Sequence, residues 1–280
     1  MKHGLSLPNK GDYNDIHRLV KLATLAEESG WDGFFLWDHI ASGIGPHVDP
    51  WIATAAIAAH TSKIRLGLLI TPLSRRRPWK VAREIVSLDH LSGGRMVLGA
   101  GLGDFREKEF RSFGEVVDPH TRGQMLDEAL EIVTGLQSGQ RFSYSGSYYQ
   151  FKETVFNPKP VQLPRVPVWI AGQWPNTPPF RRGAKWDGIV PLARGRAKQN
   201  FLTPSEIREI QDYLSRFRSS SEPIDICLSG SLPGVNRSED TARLAPYVGL
   251  GVSWWIEFIY SGSGTVKNNM ERIGAGPLQI

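Results

Sequence analysis

Trp37-Asp38-His39 ends a short apolar run and carries residue types that move protons near neutral pH. His39 can donate or accept there, and Asp38 beside it could orient the imidazole or hold it charged. Successive strand residues point to opposite faces, so one of the pair can face a site while the other supports a loop. Polar and glycine residues gather in the same way after other apolar runs. They are Thr71-Pro72 with Arg75 to Arg77, Gly101 to Asp104, and Gly172-Gln173-Trp174-Pro175-Asn176-Thr177. Glu257 stands at the end of the last run, as a second polar candidate or a buried structural carboxylate. Gly101 and Gly103 form half of a phosphate fingerprint, or let a flat ring approach the backbone. Gly172 to Thr177 leads into Pro178 and a predicted helix, whose free N–H groups would welcome an anion such as phosphate. No CxxC, HExxH, dense His–carboxylate cluster or G-x-S-x-G elbow occurs, so neither a metal site nor a serine nucleophile is expected.

These residues share a place in a rhythm. Eight short apolar runs recur: His3 to Leu7, Gly33 to Trp37, Ile64 to Ile70, Met96 to Ala100, Val166 to Ala171, Gly188 to Val190, Ile224 to Ser229 and Val252 to Phe258. Uniformly apolar runs of this length suit parallel strands buried on both faces. The stretches between them have helical spacing, as in Ile16, Leu19, Val20, Ala23 and Ala26 after Asn14, or Met125, Ala129, Ile132, Val133 and Leu136. Thr203-Pro-Ser-Glu206 predicts a capping box with proline at the first helical position. Asp49-Pro50 and Thr177-Pro178 repeat the cap-then-proline pattern, and a last helix is expected near Val266 to Ile273. Strand alternating with helix predicts an α/β fold, a (β/α)₈ TIM barrel, in which the loops after the strands build the site. Residues 138–165 interrupt the rhythm with an aromatic hairpin and a proline-rich lead-in, inserted between the fourth helix and the fifth strand. The hairpin is either a lid wall or a cover for the outside of the barrel.

A chain of 280 residues with 40% hydrophobic content fits one such domain spanning 1–280. No apolar run approaches membrane-spanning length, no signal-like segment precedes the first strand, and the single Cys227 falls in a predicted buried strand. A cytoplasmic protein without membrane attachment is expected, with Cys227 as core filling. The net charge of +5 is concentrated at Arg75 to Arg77, Arg181, Arg182, Arg194, Arg196 and Lys198, in or near loops after strands three, five and six. That ring would draw in an anionic ligand, or is a solvated face. No nucleic-acid-binding module accompanies it.

Four blocks together resemble the bacterial luciferase-like flavin oxidoreductases: Gly33-Phe-Phe-Leu-Trp-Asp-His39, Lys63 to Pro72, Ser87 to Gly103, and Phe151 through Pro158-Lys-Pro-Val-Gln-Leu-Pro164 to Gly172. The resemblance covers nearly the whole chain. It implies a barrel enzyme using reduced FMN or the 8-hydroxy-5-deazaflavin coenzyme, with the deazaflavin ranked first on the Trp-Asp-His ending. It places the ring around Ile70, Thr71, Ala100 and Gly101 beside Gly103, near a non-proline cis peptide in a strand-three bulge. The phosphate would lie along Gly172, Gln173, Trp174, Asn176 and Thr177, and Arg75 to Arg77 could meet the deazaflavin's acidic tail. His39 would face the substrate or ring edge. The implied reaction is hydride transfer to or from a small organic substrate; the alternatives are FMN-dependent monooxygenation and a non-catalytic flavin-binding barrel. Relatives of this kind are often homodimers. Trp37, Trp174, Trp254 and Trp255 could line an apolar substrate cavity or serve as core.

Overall fold

Eight parallel strands close into a barrel in the order β1 (Lys2–Leu7), β10 (Trp254–Phe258), β9 (Asp225–Gly230), β8 (Gly188–Ala193), β7 (Val168–Trp174), β4 (Met96–Gly101), β3 (Arg65–Pro72) and β2 (Gly33–Leu36). The computed structural model describes residues 1–41, 43, 45–103 and 108–280. Between the strands run α1 (Ile16–Glu28), α2 (Pro50–His60), α3 (Pro78–Ser92), the short α4 (Lys108–Ser112), α5 (Pro119–Gln137), α6 (Pro178–Gly183), α7 (Pro204–Ser215) and α8 (Arg237–Leu244). The helix α9 (Val266–Gly274) follows the last strand and packs on α1. All eight apolar runs are barrel strands, with ends within a few residues of expectation.

Alternation along the strands sorts their side chains into two layers. Phe35, Val97, Trp169, Val190, Cys227, Trp254 and Ile256 fill the interior, with the Trp169 and Trp254 rings 5.3 Å apart. Neighbouring positions such as Leu5, Leu7, Phe34, Leu36, Leu98, Ala100 and Ile170 face the helices. The barrel is therefore a packed core, not a pore. Cys227 is part of that filling, its thiol pushed well above its ordinary pKa by burial. Trp174 and Trp255 belong to the outer layer with α7 and its neighbours, and Trp254 plugs the interior. Of the four tryptophans, Trp37 remains for the mouth.

Caps explain where most helices start. Asp49 accepts from the N–H groups of Trp51 and Ile52 at 2.9 Å, and the Thr203–Glu206 capping box forms in full. Asp15 caps α1, accepting from the His17 N–H. Thr177 departs from expectation: its backbone is already helical, and its side chain makes no cap hydrogen bond. A capping side chain works from an extended backbone, so the Thr-Pro pair is insufficient alone.

The insertion forms an antiparallel hairpin, β5 (Arg141–Ser145) and β6 (Gln150–Val155), with β4 pairing directly with β7 across it. Glu128 of α5 accepts from the N–H groups of Ser147, Tyr148 and Tyr149, and Tyr144 donates to Glu131. The Phe142 ring lies over Gly135, where a Cβ would sit 2.5 Å from it. Trp79 of α3 meets Tyr149 and Phe151 edge-on. The hairpin is an outer cover for α3 and α5, and its lid reading falls. Among the described residues no helix is long and apolar enough to cross a membrane.

Candidate active site

At the C-terminal end of the barrel, Asn9 after β1 fixes the loop after β2. It donates to the carbonyls of His39 and Val48 at 2.7 Å, and its Oδ1 accepts from the His39 N–H at 3.2 Å. The imidazole so placed has its Nδ1 3.1 Å from Glu109 Oε1. Glu109 comes from α4 and is almost wholly buried. It also accepts from the N–H groups of Ile40 at 2.8 Å and Ala41 at 3.1 Å, and pairs with Arg75 Nη1 at 2.8 Å. Burial alone would raise its pKa, but hydrogen bonds from His39, Arg75, Ala41 and Ile40 outweigh it and hold the carboxyl well below the ordinary range. An ionised carboxylate can only accept, so the hydrogen of the pair sits on Nδ1 and Nε2 is left to take or give a proton.

Asp38 does not orient the imidazole. Its side chain is taken up by Arg76, which holds it with two hydrogen bonds of 3.0 and 2.7 Å, and Arg75 adds a contact at 3.2 Å. The two neighbours take different partners, and the carboxylate that meets His39 is Glu109. The positive ring is reduced by the same pairing. Arg75 is 2% exposed and shared between Asp38 and Glu109, Arg182 pairs with Asp127, and Arg196 with Glu206. Arg75 and Arg76 are thus paired with the protein's own carboxylates, whereas Arg77 is exposed.

Glu257 also leaves the site. It lies on the helix-facing side of β10, buried, accepting from the Leu232 N–H and the Trp255 indole at 2.8 Å and pairing with Arg272 at 2.8 Å. Burial pushes its pKa up to about 7 against the opposing pull of Arg272. It is a structural carboxylate.

The ends of β3 and β4 form a different surface. The Leu69–Ile70 peptide is cis, and the β3–β4 register shifts between Leu68 and Thr71, the bulge that the resemblance implies. Leu69 and Ile70 are half-buried there, as are Ala171 on β7 and Leu192 on β8. At Gly101 a Cβ would stand 2.7 Å from Ile70 Cδ1, so only glycine leaves this ledge bare. Thr71 is fully buried, and its Oγ1 has no partner among the described residues. A flat, polar-edged ring fits an apolar ledge with an unpaired hydroxyl behind it. Ala100 points its methyl into the helix-facing core, so it can offer only backbone. Gly103 adopts φ +73°, and its carbonyl accepts from Arg122 Nη2 at 3.3 Å. Asp104 lies outside the described residues.

With this ledge and a histidine–carboxylate pair at the same end of the barrel, comparison with known proteins becomes decisive: the family described as luciferase-like monooxygenase matches residues 1–243. The chain belongs to that family. It is 32% identical over 165 residues to an F420-dependent glucose-6-phosphate dehydrogenase of Microbacterium testaceum (strain StLB037), covering 57% of this chain and 48% of that protein. It is 27% identical over 162 residues to the oxygenase component of a flavin-dependent trigonelline monooxygenase of Acinetobacter baylyi (strain ATCC 33305 / BD413 / ADP1), covering 58% of this chain and 44% of that one. These matches span under half the length of either relative. Among solved structures, an F420-dependent secondary alcohol dehydrogenase with an F420–acetone adduct superposes with a TM-score of 0.78 over 98% of this chain and 97% of that one, at 15% identity. That likeness concerns the fold.

In this luciferase-like barrel the end of β7 and the turn after it are less uniform than their sequence suggests. Gly172 faces the helices, where a Cβ would fall 2.4 Å from Pro179 Cβ, so its role is close packing of α6. Trp174 is buried against Phe180 and Tyr213. Gln173 and Asn176 are the exposed members, joined by a 2.9 Å backbone hydrogen bond.

Glu109 is the main residue that sequence reasoning missed. It lies in the charged stretch Arg106 to Arg111, which has no motif and no apolar period to mark it. The residues Asn9 and Tyr260 escaped for the same reason, whereas Trp37 and Lys198 were visible only as members of larger sets.

Proposed function

We propose that this chain is a flavin-class oxidoreductase that uses the deazaflavin coenzyme, and secondarily FMN, to transfer hydride to or from a small organic substrate. The observation that carries the reading is the ionised Glu109 holding His39 at the same end of the barrel as the bare ledge of β3 and β4. The bound coenzyme would supply the hydride chemistry, and the protein's part is to position and protonate. Backbone at Ile70, Gly101 and Gly103, the Thr71 hydroxyl, and the exposed Gln173 and Asn176 are the groups that would hold it. His39 Nε2 serves the proton that accompanies hydride transfer to a carbonyl or from an alcohol, with Glu109 fixing the tautomer and Arg75 fixing Glu109. The apolar ledge excludes water from that proton path.

Identity to an F420-dependent dehydrogenase supports the deazaflavin. The second reading, FMN-dependent oxygen insertion, is favoured by the identity to the trigonelline monooxygenase component. Absorbance titration with each coenzyme at moderate salt separates them. Deazaflavin binding tighter than FMN, with anaerobic turnover, is the expected result. Tighter FMN binding with oxygen-dependent turnover reverses the choice, and no affinity for either removes the proposal.

A further inference from the structure

Lys198 sits at the mouth in surroundings that neither proton transfer nor coenzyme binding explains. Its Nζ lies 3.9 Å from the Trp37 ring centroid, 4.0 Å from Tyr260 and 5.0 Å from Phe258. The three rings come from the ends of β2 and β10, while the lysine comes from the loop between β8 and α7. That loop is fastened: Ser231 N–H donates to the Lys198 carbonyl at 2.9 Å, Arg243 to the Gln199 carbonyl at 2.6 Å, and Arg196 pairs with Glu206. The ammonium is thus placed by design of the backbone around it. Among the described residues no carboxylate pairs with it. Burial pushes its pKa down to about 8, and the charge of Lys10 pushes the same way, which leaves the ammonium the main form at neutral pH.

Three ring faces attract a cation, but none replaces an ion pair lost on burial. The group that completes such a site is an anion. Trp37 and Tyr260 continue into a cavity of about 350 Å³ that is also lined by Lys10, Tyr13 and His47, with Asp12 on its wall. Trp37 meets the His39 ring edge-on at 6.1 Å, so this cavity opens one ring away from the proton-transferring imidazole.

We propose that the substrate is a small organic acid with a flat apolar body, its carboxylate received by Lys198 and its body laid against Trp37 and Tyr260. The proposal rests on the oxidoreductase reading for the statement that this ligand is turned over, but its binding is testable alone.

Benzoate, benzamide and benzyltrimethylammonium serve as probes of one shape and three charges, with binding followed by calorimetry on the whole chain. Benzoate is expected to bind at least tenfold more tightly than benzamide, and benzyltrimethylammonium least. Lys198→Met should bring benzoate down to the benzamide level, while Lys198→Arg, which keeps the charge, should retain most of the preference. Both variants are checked by thermal melting and by coenzyme titration, which should match the native chain. Equal binding of benzoate and benzamide, a preference that survives Lys198→Met, its equal loss in Lys198→Arg, or tightest binding of the cation overturns the proposal. A benzoate preference without affinity for either coenzyme would leave the subsite standing and remove the oxidoreductase reading. Coenzyme binding without the preference does the reverse.

Discussion

Glu109 receives hydrogen bonds or ion pairs from His39, Arg75 and two backbone N–H groups on its two oxygens. Glu109→Gln would turn an acceptor into a donor facing His39 Nδ1 and free the imidazole to reverse its tautomer. Turnover should fall roughly 10²–10⁴-fold, as for His39→Ala, the range for a positioned acid–base group. Coenzyme affinity should be unchanged in both, and single-turnover kinetics with a titrated coenzyme measure the two separately. Retained turnover in either variant would contradict the proton path through His39. Glu257 gives a pH prediction of another kind. Its folded pKa near 7 lies above the ordinary 4.5, so its contribution to stability is whole below about pH 4.5 and is lost as the pH rises through 7. The loss is on the order of 3 kcal/mol at full ionisation. Melting temperatures of the native chain should therefore drop between pH 5 and 8 relative to Glu257→Gln. Parallel curves would show that Arg272 compensates the buried charge fully.

Two threonine–proline pairs make a controlled comparison among the helices. Thr203 closes a complete capping box, whereas Thr177 makes no side-chain cap. Thr203→Ala should cost about 1 kcal/mol in urea denaturation, and Thr177→Ala close to nothing. At Gly172 the packing of α6 on β7 leaves no room for a methyl, so Gly172→Ala should destabilise by about 1–3 kcal/mol through overpacking. If that variant instead keeps its stability and loses coenzyme affinity alone, the turn serves the ligand more than the helix. Element types were legible because they depend on local period and punctuation. The eight apolar runs, the glycine stops and the Asp49 and Thr203 starts are all local signals. The Thr177–Pro178 signal failed because a cap needs an extended backbone, and that of Thr177 is helical.

Across the whole barrel, Trp169 and Trp254 meet at the axis with Phe35 against both. Trp169→Ala should cost about 3–5 kcal/mol, because the closed cylinder cannot collapse onto the void. Thermal or urea unfolding measures it, and a loss under 1 kcal/mol would mean that the interior repacks freely.

By itself the sequence determined the strand–helix rhythm, the barrel, the family and the strand ends where chemistry belongs, since period, glycine and cap residues act over a few positions. It also offered His39 as the acid–base candidate. Which carboxylate meets His39 was decided only by the tertiary structure. Asp38 adjoins the histidine in the chain but is held by Arg75 and Arg76, and Glu109, 70 residues on, comes back to it. The same holds for Glu257, which alternation turns outward, and for Lys198, whose charge was plain but whose three aromatic neighbours come from two distant strand ends. Such meetings depend on strand parity and on which elements close the barrel, and neither is written in the spacing of the residues that meet.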